Sequence, residues 1–467
     1  MLALLALLST PPNVLFIAVD DLRPEIDAFG QEVMDTPNLD RLAARGVTFR
    51  RAYCNVPVCG ASRASLMTGI RASPKRFRQY DCYAEKQAPG AIPLNGHFKA
   101  NGYRSEGVGK IYHNRDDHRD GWDRPVYAAK KPRYMNPDSQ ASREERLKQD
   151  LRGLAIEHAD APDGAYRDGA NAAWSADRIR ELATAEQPFF FAVGFYKPHL
   201  PFVMPQRDWD KYAPADPINY FVPPNLPKGA IHNFGELRKY DGIPKQGVLP
   251  LELARDLIRG YRACVSFTDR NVGQLLDALD ASGEADDTVI VLWGDHGWNL
   301  GEHTLWCKHC CFETSMLTPL VIVPPKSATP PDEQDWARGA TSDSLVEFID
   351  IYPTLCALTG LPEPDGEHPV PGVERQLEGA SLVPLLVDPE ATIREVAVGR
   401  YGFGETVKSD RYRYTEYGVV GGKTQGRMLF DHDEDPGELV NLAERDDMQE
   451  VVKKHARLLR KYRGRDR

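Results

Sequence analysis

Several short runs along this chain are apolar at almost every position. They lie at residues 13–19, 189–195, 288–293 and 319–324. A run without polar alternation is typical of a strand that is buried on both faces, as the strands of a parallel sheet are. Stretches with the spacing of amphipathic helices lie between and beside these runs, at residues 36–43, 172–185, 251–279 and 348–358. Strands that alternate with helices predict an α/β fold.

The pattern changes near residue 388. Beyond it, short segments alternate polar and apolar residues, as at residues 411–415, and residues 451–467 have the pattern of a basic amphipathic helix. We therefore predict two domains. Residues 11–388 would form an α/β domain with a large mixed, mostly parallel sheet flanked by helices. Residues 389–467 would form a smaller α+β subdomain with a short antiparallel sheet and the terminal helix.

Weaker patterns fill the rest of the chain. Residues 47–49 and 102–113 are predicted to contain short strands. Residues 114–170 are polar and residues 203–250 are rich in proline, so both segments are predicted to be surface loops.

The composition is that of a soluble globular protein. The chain has 467 residues, of which 42% are hydrophobic and 27% charged, and its net charge is -10. This acidic balance argues against nucleic acid as a partner. An anionic substrate would have to be attracted by a local cluster of Lys, Arg and His. The apolar residues Met1–Leu8 are similar to the core of a secretory signal and too short to span a bilayer, so we expect a periplasmic or secreted protein without a membrane partner.

The cysteines do not identify a zinc ribbon. Eight are present, and their spacing does not form two paired CxxC units. The segment CKHCC at residues 307–311 could hold a metal ion or a disulfide, or its thiols could be free and packed.

Charged residues stand directly after three of the buried runs. They are Asp20 and Asp21, Lys197 and His199, and Asp295 and His296. In an open α/β sheet, ligands bind in the crevice beyond the carboxyl ends of the strands. Three carboxylates there form a hard oxygen site that suits a divalent cation such as calcium.

A cysteine is predicted to lie at the start of a helix beside this crevice. The helix would begin at Cys59 and end at Gly69, with the hydroxyls of Ser62 and Ser65 available as caps. A lone cysteine in such a place is ordinarily a buried thiol. The cationic side chains that would converge on this site are instead suited to an oxyanion held at the metal, and they are Arg63, Lys110, His113, Lys197, His199 and Lys308.

The motifs that carry these residues resemble those of a known family. The segment CGASR at residues 59–63, followed by LMTG, resembles the signature of the type I sulfatases, in which the cysteine is oxidised to formylglycine. Other matching segments are NVLFIAVDD, GKIYH, YKPHLPF, GDHGWNLGEH and WCK. The resemblance covers residues 15–390 and implies the fold of the alkaline-phosphatase superfamily. Within the family, the chain is most similar to iduronate-2-sulfatases and their bacterial polysaccharide-sulfatase relatives.

The resemblance implies a role for each site residue. One calcium ion would be bound by Asp20, Asp21, Asp295, His296 and the modified Cys59. Many sulfatases carry Asn where His296 stands, so this ligand departs from the commonest pattern.

The remaining roles concern the reaction. Arg63 would orient the aldehyde hydrate, Lys110 and His113 would face its second hydroxyl, Lys308 would contact sulfate oxygens, and His199 would protonate the leaving alcohol. Three further residues would contact the substrate, although the last two could equally well pack their loop, and they are Lys197, Trp298 and His303.

The resemblance thus implies a sulfuric ester hydrolase. Its substrate would be a sulfated saccharide, most specifically a 2-O-sulfated uronic acid in glycosaminoglycan or algal polysaccharide fragments. One hydroxyl of the aldehyde hydrate would attack sulfur, and the second, deprotonated by His113, would expel sulfate. A formylglycine-generating or anaerobic sulfatase-maturing enzyme would be a partner. The alternatives are a phosphonate or phosphate monoester hydrolase on the same scaffold, and a non-catalytic glycan-binding protein.

Overall fold

The computed structural model describes residues 11–31, 33–328, 330–331, 334–418 and 424–463. The leader-like residues Met1–Leu8 and the last four positions of the predicted terminal helix lie outside the described residues. The prediction of export therefore stays a prediction.

The strands and helices alternate through the first part of the chain. The strands are β1 Asn13–Val19, β2 Val47–Phe49, β3 Ala52–Tyr53, β4 Arg104–Gly109, β5 Ile156–Ala159, β6 Phe189–Phe195, β7 Phe202–Pro205, β8 Thr288–Gly294, β9 Asn299–Leu300, β10 Trp306–Cys307, β11 Leu320–Val323, β12 Thr341–Ser342, β13 Val346–Glu347, β14 Ala397–Tyr401, β15 Gly404–Lys408, β16 Tyr412–Tyr417 and β17 Gly426–Asp431. The helices are α1 Pro37–Ala43, α2 Cys59–Thr68, α3 Ala84–Gln87, α4 Leu94–Ala100, α5 Pro137–Leu147, α6 Arg167–Leu182, α7 Gln206–Trp209, α8 Gly235–Arg238, α9 Leu251–Ser282, α10 Glu313–Met316, α11 Ile351–Thr359, α12 Val383–Val387 and α13 Gln449–Arg463.

The central element is a seven-stranded sheet in the order β12-β2-β11-β8-β1-β6-β4. Strands β8, β1, β6 and β4 run parallel to one another, and β11 runs antiparallel to both of its neighbours. The predicted large mixed, mostly parallel sheet is confirmed. Its four adjacent parallel strands place their carboxyl ends at one edge, which is where such sheets bind ligands.

The apolar runs are buried on both faces because helices cover both sides of the sheet. Leu15, Ile17 and Val19 of β1 pack with α1, α6 and α9 on one face. Val14 and Phe16, which point the other way, pack with α2, α4 and α11 on the opposite face. This alternation explains why these strands are apolar at almost every position.

The register brings the strand ends to the same level. Val19 of β1 pairs with Gly294 of β8 and with Phe195 of β6. Gly109 of β4 pairs with Gly194 of β6. The residues that follow each strand therefore emerge side by side.

The chain after residue 388 forms the predicted antiparallel sheet, in the order β14-β15-β16-β17, and the helix α13 packs on it. The predicted α/β class with a smaller C-terminal α+β part is confirmed. The sheet is attached to the main body by buried polar contacts. Asn55 Nδ2 donates to the Val398 carbonyl oxygen at 2.8 Å, and Arg413 of β16 pairs with Glu313 of the main body.

Two segments that were predicted to be loops contain regular elements. Helix α5 and strand β5 lie within residues 114–170, and strand β7 with helices α7 and α8 lies within residues 203–250. These elements are short or polar, so their periodicity is weak. None of the helices in the described part of the chain combines the length and the apolar character needed to cross a membrane. All eight cysteines are free, buried thiols, so the segment CKHCC contains no disulfide.

Candidate active site

Helix α2 presents Cys59 at its first position, as predicted. Every residue of this helix is buried, and Gly69 ends it with a left-handed φ of 69°. The predicted caps are wrong. The hydroxyl of Ser62 donates to the carbonyl oxygen of Asp295 at 2.5 Å, and that of Ser65 donates to the carbonyl oxygen of Ile70 at 2.7 Å. These hydroxyls therefore join α2 to the end of β8 and to its own C-terminal turn.

The carboxylates at the strand ends meet around Cys59. Asp20, Asp21 and Asp295 are completely buried. The Cys59 Sγ atom lies 3.8 Å from Asp21 Oδ1. One possible ligand atom from each of Asp20, Asp21, Cys59 and His199 lies within 4.8 Å of the others, and the same holds for Cys59, Asp295 and His296.

The orientation of His296 shows that this group of donors fits a cation. Its Nδ1 donates to the carbonyl oxygen of Gly297 at 2.9 Å, which leaves Nε2 as an acceptor, 3.2 Å from the Cys59 Sγ atom. This Nε2 faces Asp21 Oδ1 at 3.4 Å and Asp295 Oδ1 at 3.5 Å. The lone pair of Nε2 and the two carboxylate oxygens repel one another unless a positive charge lies between them. A backbone acceptor on the second ring nitrogen is also the usual arrangement of a metal-bound histidine.

Burial and neighbouring charges shift the two aspartates of β1 in opposite directions. Burial raises the pKa of Asp20, but the charge of Lys110, with those of His199 and Arg63, outweighs it and holds this pKa well below its usual range. Burial raises the pKa of Asp21 to about 7 although Lys308 opposes it. The protein's own cations thus leave Asp21 incompletely neutralised, and the hard oxygen donors suit a divalent ion.

Arg63 connects the strand ends that form the site. Its Nε donates to Asp295 Oδ2 at 2.8 Å, and its Nη2 donates to Asp20 Oδ1 at 3.3 Å. Its Nη1 donates to the backbone oxygens of Lys110 and Ile111. Since one guanidinium contacts the residues that follow β1, β4 and β8, Arg63 fixes these three strand ends relative to one another.

Two lysines border the carboxylates. Lys110 Nζ donates to Asp20 Oδ2. Lys308 Nζ donates to Asp21 Oδ1 at 3.0 Å and lies 4.9 Å from the centre of the Trp298 ring. Burial raises the pKa of the Cys59 thiol, and the nearby charge of Asp20 raises it further. The thiol is therefore protonated near neutral pH.

Glu236, in the segment predicted to be a loop, is a site residue that the sequence analysis missed. Its Oε1 lies 3.0 Å from His199 Nε2, and its Oε2 lies 3.0 Å from Lys308 Nζ. Burial raises the pKa of Glu236, but Lys308 and His199 outweigh this effect and keep it well below its usual range. The four-residue helix α8 that carries it begins after Phe234, whose φ is 35°. No periodic pattern in the sequence marks so short an element.

The two other histidines of the predicted site line the cavity. His199 Nδ1 donates to the carbonyl oxygen of Leu200 at 2.6 Å. Burial lowers the pKa of His199 to about 4, and burial together with Lys110 lowers that of His113 to about 4. These shifts disfavour the protonated form of both rings, and Glu236 opposes the shift at His199. The Nδ1 atom of His113 has no hydrogen-bond partner among the described residues.

These side chains lie in a cavity of about 640 Å³. Among the residues that line it are Asp20, Cys59, Lys110, His113, Lys197, His199, Glu236 and Lys308. Lys197 Nζ donates to the backbone oxygens of His199 and Pro201, so it stabilises its own loop at the cavity wall.

Two predicted substrate-contacting residues lie outside this cavity. His303 is 1% exposed, its Nε2 faces the carbonyl oxygen of Gly437 at 2.9 Å, and its ring packs on Phe312. Trp298 is also 1% exposed, and the ammonium group of Lys308 lies over its ring. Both residues pack the loop after β8, which is the second of the two possibilities that the sequence left open.

The site defines a class of protein before any comparison is made. A buried helix start, three strand-end carboxylates, two lysines and two histidines surround one cavity. This arrangement suits a hydrolase that acts on an oxyanion ester with the aid of a divalent cation.

Comparisons with known proteins identify the family. The model of the Sulfatase family matches residues 12–361, and that of the C-terminal part of N-sulphoglucosamine sulphohydrolase matches residues 301–465. Iduronate 2-sulfatase of Mus musculus is 31% identical over 404 residues, which cover 79% of this chain and 73% of that protein. A sulfatase of Formosa agariphila is 32% identical over 457 residues, which cover 92% and 83% of the two chains.

The chain belongs to the sulfatase family and is a sulfuric ester hydrolase. The family expected from its motifs is confirmed. Its fold is also that of the phosphonate monoester hydrolase of Agrobacterium radiobacter, with a TM-score of 0.75 at 22% identity over 98% of this chain and 96% of that one.

Proposed function

We propose that this enzyme hydrolyses the sulfate ester of a carbohydrate, specifically a 2-O-sulfated uronic acid in glycosaminoglycan or algal polysaccharide fragments. The observation that carries the proposal is the cavity in which Cys59, the carboxylates and the cations converge. The similarity to iduronate 2-sulfatase over 79% of the chain supports the choice of sugar. The export predicted from the leader-like residues is compatible with such a polymeric substrate and is part of the proposal.

A single Ca²⁺ would be held by Asp20, Asp21, Asp295 and His296, together with the modified side chain of residue 59. When bound, the ion would neutralise the carboxylates and act as a Lewis acid toward the sulfate oxygens. Oxidation of Cys59 to formylglycine by a maturation enzyme would supply the nucleophile as an aldehyde hydrate.

Side chains of this chain would stabilise the developing charge and transfer the protons. Lys110 and Lys308, anchored on Asp20 and Asp21, would face the charge that develops on the sulfate oxygens. His113, neutral and without a partner at Nδ1 among the described residues, would accept a proton. His199 would donate a proton to the leaving oxygen, and the charge of Glu236 favours the protonated ring that this step requires.

Two measurements test this function together. Intact-mass analysis of the peptide that contains Cys59, from active enzyme, should show the mass of the aldehyde or its hydrate. Activity on a panel of defined sulfated saccharides should be highest when a 2-sulfated uronate is at the end of the chain. An unmodified thiol in fully active enzyme would refute the nucleophile, and cleavage of a different sulfate position would refute the proposed sugar.

A second candidate function is phosphonate monoester hydrolysis, which the fold of the Agrobacterium radiobacter enzyme favours. The two functions separate when one alcohol is presented as its sulfate, phosphate and phosphonate ester. We expect the sulfate ester to be hydrolysed fastest. Faster turnover of the phosphonate would support the second candidate instead.

A further inference from the structure

Arginines line the part of the cavity that the mechanism does not use. Four arginines line it: Arg133, Arg143 on α5, Arg152, and Arg167 at the start of α6. Arg152 Nη1 lies 3.2 Å from the hydroxyl of Tyr240 and 3.6 Å from Glu236 Oε1, so its charge has a partner.

Arg133 and Arg167 differ from Arg152 because they form no ion pair. Arg133 Nη2 donates to the carbonyl oxygen of Leu200 at 3.2 Å, and the Arg167 guanidinium lies 5.1 Å from the centre of the Tyr196 ring. Within the described ranges, neither side chain has a carboxylate oxygen within ion-pair distance. Arg133 is exposed and Arg167 is half-buried. In a chain whose net charge is -10, two such guanidinium groups at one cavity are a concentrated positive charge.

The position of Arg133 and Arg167 relative to His199 indicates which part of a substrate they would contact. Arg133 Nη2 and His199 Nδ1 donate to the same oxygen, that of Leu200, at 3.2 and 2.6 Å. Arg167 packs on Tyr196, three residues before His199 in the same loop. Both guanidinium groups therefore lie around the residue assigned to the leaving oxygen.

The cations of the site thus form two groups. Lys110 and Lys308 pair with the buried carboxylates, where the sulfate ester would be held. Arg133 and Arg167 lie around His199 and form no ion pair within the described ranges, although Arg167 interacts electrostatically with the buried carboxylate of Asp168. A guanidinium presents several donors that match a carboxylate or sulfate, often in pairs.

We propose that Arg133 and Arg167 bind a second anionic group of the substrate, carried on the sugar side of the cleaved ester. This group is a carboxylate of the same ring or a sulfate of the neighbouring ring. The inference rests on the proposed function, since it takes His199 as the residue beside the leaving oxygen. It makes these arginines determinants of specificity rather than of the chemical step.

The test combines protein variants with substrate variants. Arg133→Gln and Arg167→Gln are assayed on three substrates: a 2-sulfated disaccharide ending in uronate with a sulfated neighbour, its carboxyl-reduced form, and the form without the neighbour's sulfate. Because each variant would lose hydrogen bonds to a charged group of the substrate, we expect kcat/KM on the complete substrate to fall about 10- to 100-fold. The fall should come mainly from a higher KM, because the variants lose binding of the substrate in its ground state.

The loss should shrink to less than about threefold on whichever substrate lacks the group that the arginine binds. The substrate on which the loss shrinks identifies the bound anion as the carboxylate or the sulfate. Arg133→Lys, which keeps the charge, should restore part of the activity. Arg460→Gln changes the same charge on the exposed side of α13, outside the cavity, and serves as the matched control.

The outcomes separate the two proposals. Equal losses on all three substrates, or no loss on any, would overturn the assignment of the arginines while leaving the sulfatase function intact. If the unaltered enzyme cleaves none of the three sulfated saccharides, the proposed function itself fails. Thermal unfolding of each variant shows whether a loss comes from misfolding.

Discussion

At the scale of single residues, Cys59 has two properties that do not suit an unmodified nucleophile. It is 3% exposed, and its burial beside Asp20 keeps the thiol protonated. Its Sγ lies 3.2 Å from His296 Nε2 and 3.8 Å from Asp21 Oδ1, which places it among the candidate metal ligands. We propose that residue 59 contributes to function through the side chain that modification of the cysteine produces.

Cys59→Ala should therefore abolish turnover without unfolding the protein. Because loss of a nucleophile removes the reaction path itself, we expect kcat to fall on the order of 10⁴-fold or more. Steady-state assays with an aryl sulfate measure this loss. Cys356→Ala removes another buried thiol, on α11 outside the cavity, and should keep its activity. Comparable activity in Cys59→Ala and the unaltered enzyme would contradict the role of residue 59.

Glu236 gives a second prediction at this scale. Glu236→Gln removes the negative charge between His199 and Lys308 but keeps the shape of the side chain. Proton donation matters most for a poor leaving group, so kcat on an alkyl sulfate should fall about 10- to 100-fold and that on a nitrophenyl sulfate less than about threefold. Equal losses on both esters would show that Glu236 acts on the sulfate side, through Lys308.

At the scale of elements, the sequence predicts the buried strands and the residues at their ends well. The unbroken apolar runs at residues 13–19, 189–195 and 288–293 leave few alternatives to strands buried on both faces. The charged residues that follow them meet because parallel strands end at one edge. Helix α8 could not be predicted, since four residues show no period and Glu236 resembles any exposed acid in a proline-rich segment.

The end of β4 depends on a glycine. Gly109 has a φ of 73°, and a Cβ atom there would meet the backbone oxygen of Gly194 at 2.0 Å. Gly109→Ala should lower the free energy of unfolding by at least about 3 kcal/mol, because both the backbone angle and the contact between β4 and β6 would be disturbed. Chemical denaturation measures the change.

Gly102 is the matched control for this prediction. It also has a left-handed φ, 87°, but nothing lies within 4 Å of the position of its Cβ. Gly102→Ala should therefore cost only the strain of the backbone, about 1 kcal/mol. If the two variants were equally destabilised, the close approach of β4 and β6 would not be what requires glycine at residue 109.

At the scale of the whole molecule, the candidate metal site joins parts of the chain that are distant in sequence. Asp20 follows β1, Cys59 begins α2 and Asp295 follows β8. Arg63, on α2, donates to Asp20, to Asp295 and to the backbone oxygens that follow β4. The sequence could predict which residues meet here. It could not predict that His296 turns its Nε2 toward the carboxylates, since this depends on the carbonyl of Gly297.

We expect this arrangement to make the stability of the molecule depend on a divalent cation. Removal of the ion leaves buried carboxylates that repel one another and the lone pair of His296. Treatment with a chelator should therefore lower the midpoint of thermal unfolding by several degrees and abolish activity. Added Ca²⁺ should reverse both effects, with a midpoint that rises with its concentration, because an ion that binds only the folded state stabilises it by mass action.

Asp21→Asn separates this effect from non-specific actions of the chelator. The variant lacks a completely buried carboxylate whose pKa is raised by burial to about 7 although Lys308 opposes this shift. Without metal it should be at least as stable as the unaltered enzyme, because one repulsive charge is gone, and it should gain less from Ca²⁺ because one ligand is lost. Differential scanning calorimetry of both proteins across a Ca²⁺ titration gives the comparison. If the two proteins gained equally from the ion, the cation that stabilises the molecule would bind somewhere other than beside Asp21.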